Sequence, residues 1–252
     1  MEEIKQVFLN GLGVYPFTSE DQLIDYIDAH KGVLVALNAA KIMHDVHLTG
    51  DLINRNIGYC DGSGPVLALK QRGYKEACKI AGCDLWLRII GRFVDSKKFY
   101  LVGGKQEIID KTVEKLRQDF QAIELAGYRN GFIANDDEKE ELLADIEEKK
   151  PDVVFVAMGS PKQEYLMEEM QKRNPDAIYQ GLGGSFDVYT GAVKRAPKWW
   201  VDHNLEFAYR VINTGRLRRN KYVLQMAWWL LLGKFKAKND KASIAKEKEN
   251  NK

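Results

Sequence analysis

The sequence lacks the features that several common classes of protein require. Its three cysteines are an odd number without paired spacing, which argues against a disulfide scaffold or a zinc site and favours a reducing compartment. Its first residues are acidic and include no long apolar run, so no signal peptide is predicted. The longest apolar stretch near a helical pattern, residues 226–232, is far shorter than the ~20 residues of a membrane-spanning helix.

The chain as a whole also lacks a large net charge, but its two parts carry opposite charges. The formal net charge is +2 over 252 residues. Residues 210–252 hold twelve Lys/Arg and three Asp/Glu, which is about +9, while the other 209 residues hold 26 basic and 33 acidic side chains, about −7. A basic tail on an acidic body predicts an anionic partner for the tail: phosphate, nucleic acid or a membrane surface.

Apolar runs typical of buried strands alternate with longer helical patterns. The predicted strands cover residues 33–37, 57–60, 99–102, 153–157 and 177–179. Continuous apolar strands with helical crossovers predict an α/β fold, with a parallel sheet covered by helices on both faces. The last residues, 239–252, are mostly Lys, Glu and Asn with little to bury, and we predict that they are disordered.

Glycines follow four of these strands, as Gly62/Gly64, Gly103/Gly104, Gly159 and Gly183/Gly184. Ligands of such folds sit at the carboxyl ends of the strands. Glycine there lets the backbone approach a ligand and offers N–H groups to phosphate. A tight turn explains any one cluster better, but four clusters together predict a ligand crevice at this edge.

Polar side chains beside these turns are the candidates for chemistry. Asp61 follows a strand directly and suits a general base, or equally a helix N-cap. Asn38 suits a contact to a sugar hydroxyl, or an N-cap. Lys162 and Gln163 open a helix and could contact an anionic or polyhydroxy ligand, or simply form its first turn.

The basic tail has two parts with different expected partners. Arg210, Arg216 and Arg219 offer guanidinium forks that match phosphate oxygens, although a solvated basic face is the alternative. Residues 222–232 combine Trp and Leu and are followed by lysines, which favours a helix lying on an anionic bilayer over a core or dimer helix. Arg195 belongs to a basic run next to a glycine turn, which fits a phosphate-rich ligand.

Several motifs in order carry a resemblance to a known family. The chain resembles the WecG/TagA/CpsF glycosyltransferases, family 26, over nearly its whole length. The matching pieces are Asn38, Asp61-Gly62-Ser63-Gly64, Ala81-Gly82-Cys83-Asp84-Leu85, Val102-Gly103-Gly104-Lys105, Pro151-Asp152-Val153-Val154, Gly159-Ser160-Pro161-Lys162-Gln163-Glu164, Gly181-Leu182-Gly183-Gly184-Ser185-Phe186-Asp187 with Gly191, Lys194-Arg195-Ala196-Pro197 and Leu205-Glu206-Phe207-Ala208-Tyr209-Arg210.

The resemblance implies a Rossmann-like catalytic core, residues 1–195, and a helical basic C-terminal appendage, residues 196–252. It implies inverting transfer of a sugar, usually N-acetylmannosamine or its uronic acid, from a UDP donor to N-acetylglucosamine on undecaprenyl diphosphate. Such a transfer belongs to the synthesis of cell-wall polymers such as teichoic acid, or of other surface polysaccharides. The enzyme would work in the cytoplasm, bound peripherally to the inner face of the cell membrane, with self-association left open.

The resemblance also implies roles for individual residues. Asp61 would be the catalytic base, and Asn38 and Gln163 would shape the pocket. Arg210, Arg216 and Arg219 would close over the diphosphate. The remaining expected substrate contacts are Lys79, Gly103, Gly159, Lys162, Gly184 and Arg195. Lys79 stands where the family commonly has arginine, so it keeps the charge and loses the bidentate fork.

No metal and no cofactor are expected. The sequence contains no Asp-x-Asp, the usual carboxylate pair that holds a divalent metal on a sugar nucleotide, so side-chain cations would stabilise the leaving diphosphate. An exopolysaccharide or capsule glycosyltransferase with a different UDP-hexose donor is the nearest alternative. A dinucleotide-dependent oxidoreductase ranks low, because no Gly-x-Gly-x-x-Gly follows the first strand. The apolar Trp/Leu face of the tail argues against nucleic acid.

Overall fold

The structure, a computed structural model, describes residues 4–194, 197, 217–236, 243 and 246. For residues 45–48 and 217–220 it describes the backbone and not the side chains. Arg195, Arg210 and Arg216 lie outside the described residues, as does the side chain of Arg219. The predicted boundary at residues 195/196 also falls there and stays a prediction.

Eight strands and nine helices are described, besides a π-helical turn at Lys41–Asp45. The strands are β1 (Val7–Leu9), β2 (Leu12–Val14), β3 (Gly32–Leu37), β4 (Ile57–Cys60), β5 (Lys98–Gly103), β6 (Glu124–Arg129), β7 (Val153–Ala157) and β8 (Ile178–Gly181). The helices are α1 (Glu20–Ala29), α2 (Val46–Asn54), α3 (Ser63–Gln71), α4 (Gly82–Phe93), α5 (Gln106–Asp119), α6 (Asp136–Lys149), α7 (Lys162–Arg173), α8 (Ser185–Tyr189) and α9 (Leu217–Leu231).

The main sheet has six strands in the order β4-β3-β8-β7-β5-β6. Strand pairs β3/β8, β5/β7 and β7/β8 are parallel, with Gly32 opposite Ile178, Phe99 opposite Val153, and Val153 also opposite Ile178. Helices flank this sheet, and α9 follows it, so the predicted Rossmann-like α/β class with a helical C-terminal appendage is confirmed. All five predicted strands are present within two residues of their expected bounds.

Two features of the fold were not predicted. Strand β6 pairs with β5 at the edge of the sheet, and its side chains are half-buried or exposed, so it has no apolar run to reveal it. A hairpin of β1 and β2 precedes the sheet, and its turn is Asn10-Gly11 with φ of 51° and 83°. An Asn-Gly pair between apolar residues is a strong hairpin signal, because both central residues of this turn need a positive φ.

The chain divides into two compact units. The first unit comprises residues 1–22, 36–81 and 195–252, and the second comprises residues 23–35 and 82–194. In the second unit, Trp86 is fully buried and packs edge-on against Phe155, Phe186 and Tyr189, with ring centroids 5.1–5.7 Å apart. These contacts join α4 to β7 and α8.

In the first unit, α9 packs on α3 through Met226, which is 1% exposed. Gln71 of α3 donates a hydrogen bond to the Leu230 carbonyl at 2.7 Å, and Tyr222 stacks on His44 at 4.8 Å. Ser243 is buried and accepts a hydrogen bond from the Gly11 N–H at 3.4 Å. The rest of the tail that we predict to be disordered lies outside the described residues, apart from Lys246.

Candidate active site

The first group of predicted site residues surrounds Asp61. This half-buried residue follows β4, and its N–H donates to the Leu37 carbonyl of β3 at 2.8 Å. The N-cap of α3 is Gly62, with a φ of 128° that favours glycine, so Asp61 itself is not the N-cap. The structure therefore sets this carboxylate at the end of a strand, in the place that the general-base interpretation needs.

Asn38 lies directly after β3, one residue beyond the carbonyl that Asp61 binds. Its side-chain oxygen accepts a hydrogen bond from the Lys41 N–H at 3.2 Å, so Asn38 caps the π-helical turn that follows. This is the capping alternative foreseen for Asn38, and its contact to a sugar hydroxyl stays a prediction.

Lys79 belongs to a segment that contacts the end of β4. The Ile80 N–H donates to the Cys60 carbonyl at 2.9 Å, and the Cys78 N–H donates to the Phe17 carbonyl at 3.0 Å. Lys79 and Asp61 are thus each one residue away from the bond that joins Ile80 to Cys60. These backbone hydrogen bonds bring the chain at Asp61, Asn38 and Lys79 close together, although the three residues are far apart in sequence, and their roles in a site stay predictions.

Two further residues of this group were not singled out from the sequence. Lys41 is only 6% exposed, and it begins the π-helical turn that Asn38 caps. π-Helical turns occur frequently at functional sites. Cys60 is buried, and burial together with the charges of Cys78 and Asp61 raises the pKa of its thiol to about 12. The thiol therefore stays neutral near pH 7 and is no nucleophile.

The second group of predicted residues lies in the second unit, where β5, β7 and β8 end. Gly103, Gly104, Gly159 and Gly183 all have φ between 61° and 140°, which favours glycine. A Cβ at Gly103 would lie 2.3 Å from the Ala157 carbonyl oxygen, so this glycine lets β5 and β7 approach each other. The Gly104 N–H donates to the same oxygen at 3.1 Å.

Gln163 connects two of these turns. Its side-chain oxygen accepts hydrogen bonds from the N–H groups of Gly159, at 3.1 Å, and Gly183, at 2.9 Å. Its amide nitrogen donates to Glu164 at 3.3 Å, and the side chain is only 6% exposed. From the sequence, the glycine N–H groups were predicted to bind phosphate, and the Gln163 amide was predicted to contact a ligand. In this structure the N–H groups of Gly159 and Gly183 donate to Gln163 instead.

Other predicted residues at these turns are accessible. Lys162 is exposed at the first position of α7, and Gly184 is exposed before α8. A side chain added at Gly184 would meet nothing nearer than an Asp187 oxygen at 3.8 Å. The Tyr189 hydroxyl holds the other end of α8 by donating to Asp119 at 2.7 Å, and this bond, with Lys115 beside it, lowers the pKa of Asp119.

The remaining predictions concern cations and metals. Arg195, Arg210 and Arg216 are outside the described residues, and Arg219 is placed only as a backbone position on α9, so their contacts to a diphosphate stay predictions. Within the described part of the chain, no group of three His, Cys, Asp or Glu side chains could hold a metal ion. The expected independence of metal and cofactor also stays a prediction.

Helix α9 presents an apolar face that points away from α3. Leu224, Trp228 and Leu231 are spaced for one helical face and are 70%, 61% and 82% exposed, and Leu232 extends the patch. Lys234 and Lys236 follow, both exposed. No helix among the described residues is long and apolar enough to cross a membrane.

The profile of the glycosyl transferase WecG/TagA/CpsF family matches residues 9–241, and the chain belongs to this family. Among curated proteins it is similar to the N-acetylglucosaminyldiphosphoundecaprenol N-acetyl-beta-D-mannosaminyltransferase of Bacillus spizizenii, with 34% identity over 200 residues and 77% of each chain covered. The protein is therefore a glycosyltransferase of the hexosyltransferase class, and the predicted resemblance is confirmed.

Proposed function

We propose that this enzyme transfers N-acetylmannosamine, or a related hexosamine or uronic acid, from a UDP-sugar to N-acetylglucosamine on undecaprenyl diphosphate. The observation that carries the proposal is the place of Asp61, at the end of β4 beside Lys79 and Asn38, in a chain of this family. The Bacillus relative supports the choice of sugars, because its name gives this donor sugar and this lipid-linked acceptor.

The proposed reaction is a single displacement. Asp61 removes the proton of an acceptor hydroxyl as the hydroxyl oxygen attacks the anomeric carbon. The bond from that carbon to the UDP oxygen breaks, so the configuration inverts and UDP leaves with the electron pair. A carboxylate at a strand end is held rigidly by the sheet, which supports this role because a general base needs a fixed position near the proton it removes.

The leaving diphosphate needs positive charge from side chains. The N–H groups of Gly159 and Gly183 donate to Gln163 in this structure, and the expected substrate contact of Gly159 stays a prediction. Lys79 and the appendage arginines Arg210, Arg216 and Arg219 are the cations that we assign to the diphosphate. We propose that no metal takes part, since the sequence has no Asp-x-Asp.

The test of the base is Asp61→Asn. General-base catalysis is worth about 10²–10⁴-fold, so the variant should release UDP that much more slowly from UDP-N-acetylmannosamine and a short-chain lipid-diphosphate acceptor. Asp51→Asn, at an exposed carboxylate of the same unit, is the matched control and should keep the wild-type rate. Full activity of Asp61→Asn, with a normal circular dichroism spectrum, would show that another group is the base.

The donor and the metal are tested with the same assay. A panel of UDP-sugars separates N-acetylmannosamine transfer from the alternative, an exopolysaccharide or capsule transferase with another UDP-hexose. NMR of the product's anomeric carbon tests inversion. A rate that collapses in EDTA and returns with a divalent ion would refute metal independence.

We further propose that the enzyme acts at the inner surface of the cell membrane through α9. The face of Leu224, Trp228 and Leu231 would enter the interface, and Lys234 and Lys236 would meet anionic headgroups. The exposed apolar stripe and the lysines that follow it support a bilayer over nucleic acid, since a nucleic acid offers no apolar phase to cover the stripe.

Co-sedimentation with vesicles tests this surface. The wild-type protein should bind vesicles that contain phosphatidylglycerol, and Trp228→Glu should lose most of that binding. Gln225→Glu adds a negative charge beside the stripe without removing an apolar side chain, so it should lose less binding than Trp228→Glu. Unchanged vesicle binding by Trp228→Glu would refute the proposal. A lower sedimentation coefficient of that variant without lipid would instead assign the stripe to self-association.

A further inference from the structure

Gln163 is a buried polar side chain at the start of α7. It is the second residue of α7, and its amide lies between the turns that follow β7 and β8. Its side-chain oxygen accepts hydrogen bonds from two backbone N–H groups, and its side-chain nitrogen donates one to Glu164. The side chain thus joins two glycine turns that are 24 residues apart in sequence.

The backbone around Gln163 is shaped to admit this amide. A Cβ at Gly181 would lie 2.4 Å from the Gln163 nitrogen, so only glycine at the end of β8 leaves room for it. Gly159 and Gly183 have φ of 78° and 61°, and a Cβ at either would meet no heavy atom within 4 Å. The tight contact is therefore between Gly181 and Gln163. At Gly159 and Gly183, by contrast, the space into which a Cβ would point is open.

A side chain in this position controls where two turns sit. N–H groups that are partly withdrawn from water need a partner, and here one oxygen atom serves the part-buried N–H groups of both turns. If that oxygen is removed, the N–H groups must find water or move, and the turns are no longer tied to each other. A displacement of about 1 Å near a reacting centre can lower a rate about 100-fold.

We propose that Gln163 is a positioning residue, which fixes the turns at Gly159 and Gly183 for the donor and does not itself contact the substrate. The role of the turns in holding the donor rests on the proposed function. The link between the two turns rests on the hydrogen bonds alone. It assigns Gln163 a role different from the pocket contact that its sequence position suggested.

An exchange of neighbouring side chains separates positioning from contact. In the pair Gln163→Glu with Glu164→Gln, a carboxylate accepts from both turns, and the new amide at position 164 donates to it. Net charge and side-chain size are unchanged, but the donor N–H group of residue 163 is gone. Gln163→Met removes the acceptor altogether, and Gln171→Met is the matched control on α7.

Two measurements are made on each variant, together with Glu164→Gln alone. Hydrogen–deuterium exchange followed by mass spectrometry reports the protection of the peptides that contain Gly159 and Gly183. UDP release with a UDP-sugar and the lipid acceptor reports kcat and KM. We expect Gln163→Met to exchange about 10-fold faster at both turns and to lose about 10–100-fold in kcat/KM. We expect the pair to recover the protection, and the activity to within about threefold.

The outcomes are distinct. Wild-type exchange in Gln163→Met, or a pair that exchanges fast at the turns, would overturn the tie. A pair with restored protection but without activity would show that the glutamine amide meets the substrate. If Gln163→Met does not fold, the pair alone decides by the same two criteria. If the wild-type protein releases no UDP from any donor, the proposed function fails while the exchange data still decide the tie.

Discussion

The contact between Gly64 and Met226 couples the C-terminal helix to the helix that follows Asp61. A Cβ at Gly64 would lie 2.6 Å from the Met226 sulfur and 3.4 Å from its terminal carbon. Met226 is 1% exposed, so its side chain has little space into which it can withdraw. We therefore predict that Gly64→Ala loosens the packing of α9 on α3.

The magnitude follows from two opposing contributions. Overpacking of a buried contact costs about 1–3 kcal/mol. Replacing glycine by alanine within a helix gains up to about 1 kcal/mol, and less here because Gly64 is in the first turn of α3. Gly64→Ala should lower the free energy of unfolding by about 0–3 kcal/mol. In a Met226→Ala background the clash is absent, and the same substitution should be neutral or slightly stabilising.

The assay is a double-mutant cycle by urea unfolding, followed by tryptophan fluorescence. We expect a coupling free energy of about 1–3 kcal/mol, because the two sites share one contact. Gly91→Ala is the control: it lies exposed in α4, and its Cβ would meet only Phe120 at 3.7 Å, so it should be neutral or stabilising. Equal effects of Gly64→Ala in both backgrounds would refute the packing of α9 on α3.

Three other predictions follow from local contacts. Cys60 should resist a maleimide at pH 7.5 until the protein unfolds, whereas the two half-buried cysteines should react in the native state, because only Cys60 combines burial with a pKa of about 12. Asn135→Ala should cost about 1 kcal/mol in urea unfolding, because its side chain caps α6 at 2.9 Å, and Asn135→Asp should not. The hydrogen bond from Lys97, 2.8 Å away, lowers the pKa of Asp28 below 3.8, so their contribution to stability is present above about pH 4 and is lost as pH falls through the lowered pKa. The difference in unfolding free energy between wild type and Lys97→Met should therefore shrink below pH 4, and a constant difference from pH 6 to pH 3 would contradict the assignment.

Local pattern was sufficient for the buried part of the sheet. Strands β3 and β7 are continuous apolar runs because both of their faces are covered, and such runs are visible in the sequence; β8 has only the short apolar start Ile178-Tyr179. Strand β6 escaped prediction because it lies at an edge, where half-buried side chains leave no such run. The hairpin before the sheet could have been found from Asn10-Gly11, which is a signal of turn chemistry rather than of hydrophobicity.

In the candidate site, too, some positions could be predicted from local sequence pattern and others could not. The sequence placed Asp61 at a strand end, because an apolar run stops immediately before it and glycine follows. That Lys79 returns beside the same strand depends on the backbone bond between Ile80 and Cys60, which joins residues 20 positions apart. Local sequence pattern does not predict such a bond, because its two residues are distant in the chain.

The family, the α/β class, the positions of the buried strands and the glycine turns that end them could all be predicted from the amino-acid sequence, because these depend on residue type and short spacing. The tertiary structure decided what the polar groups at those turns bind. Gln163 and the N–H groups of Gly159 and Gly183 each looked available to a ligand, and the fold joins them to one another. The physical reason is that a buried hydrogen-bonding group must be satisfied, and the partner that satisfies it is set by distance in space.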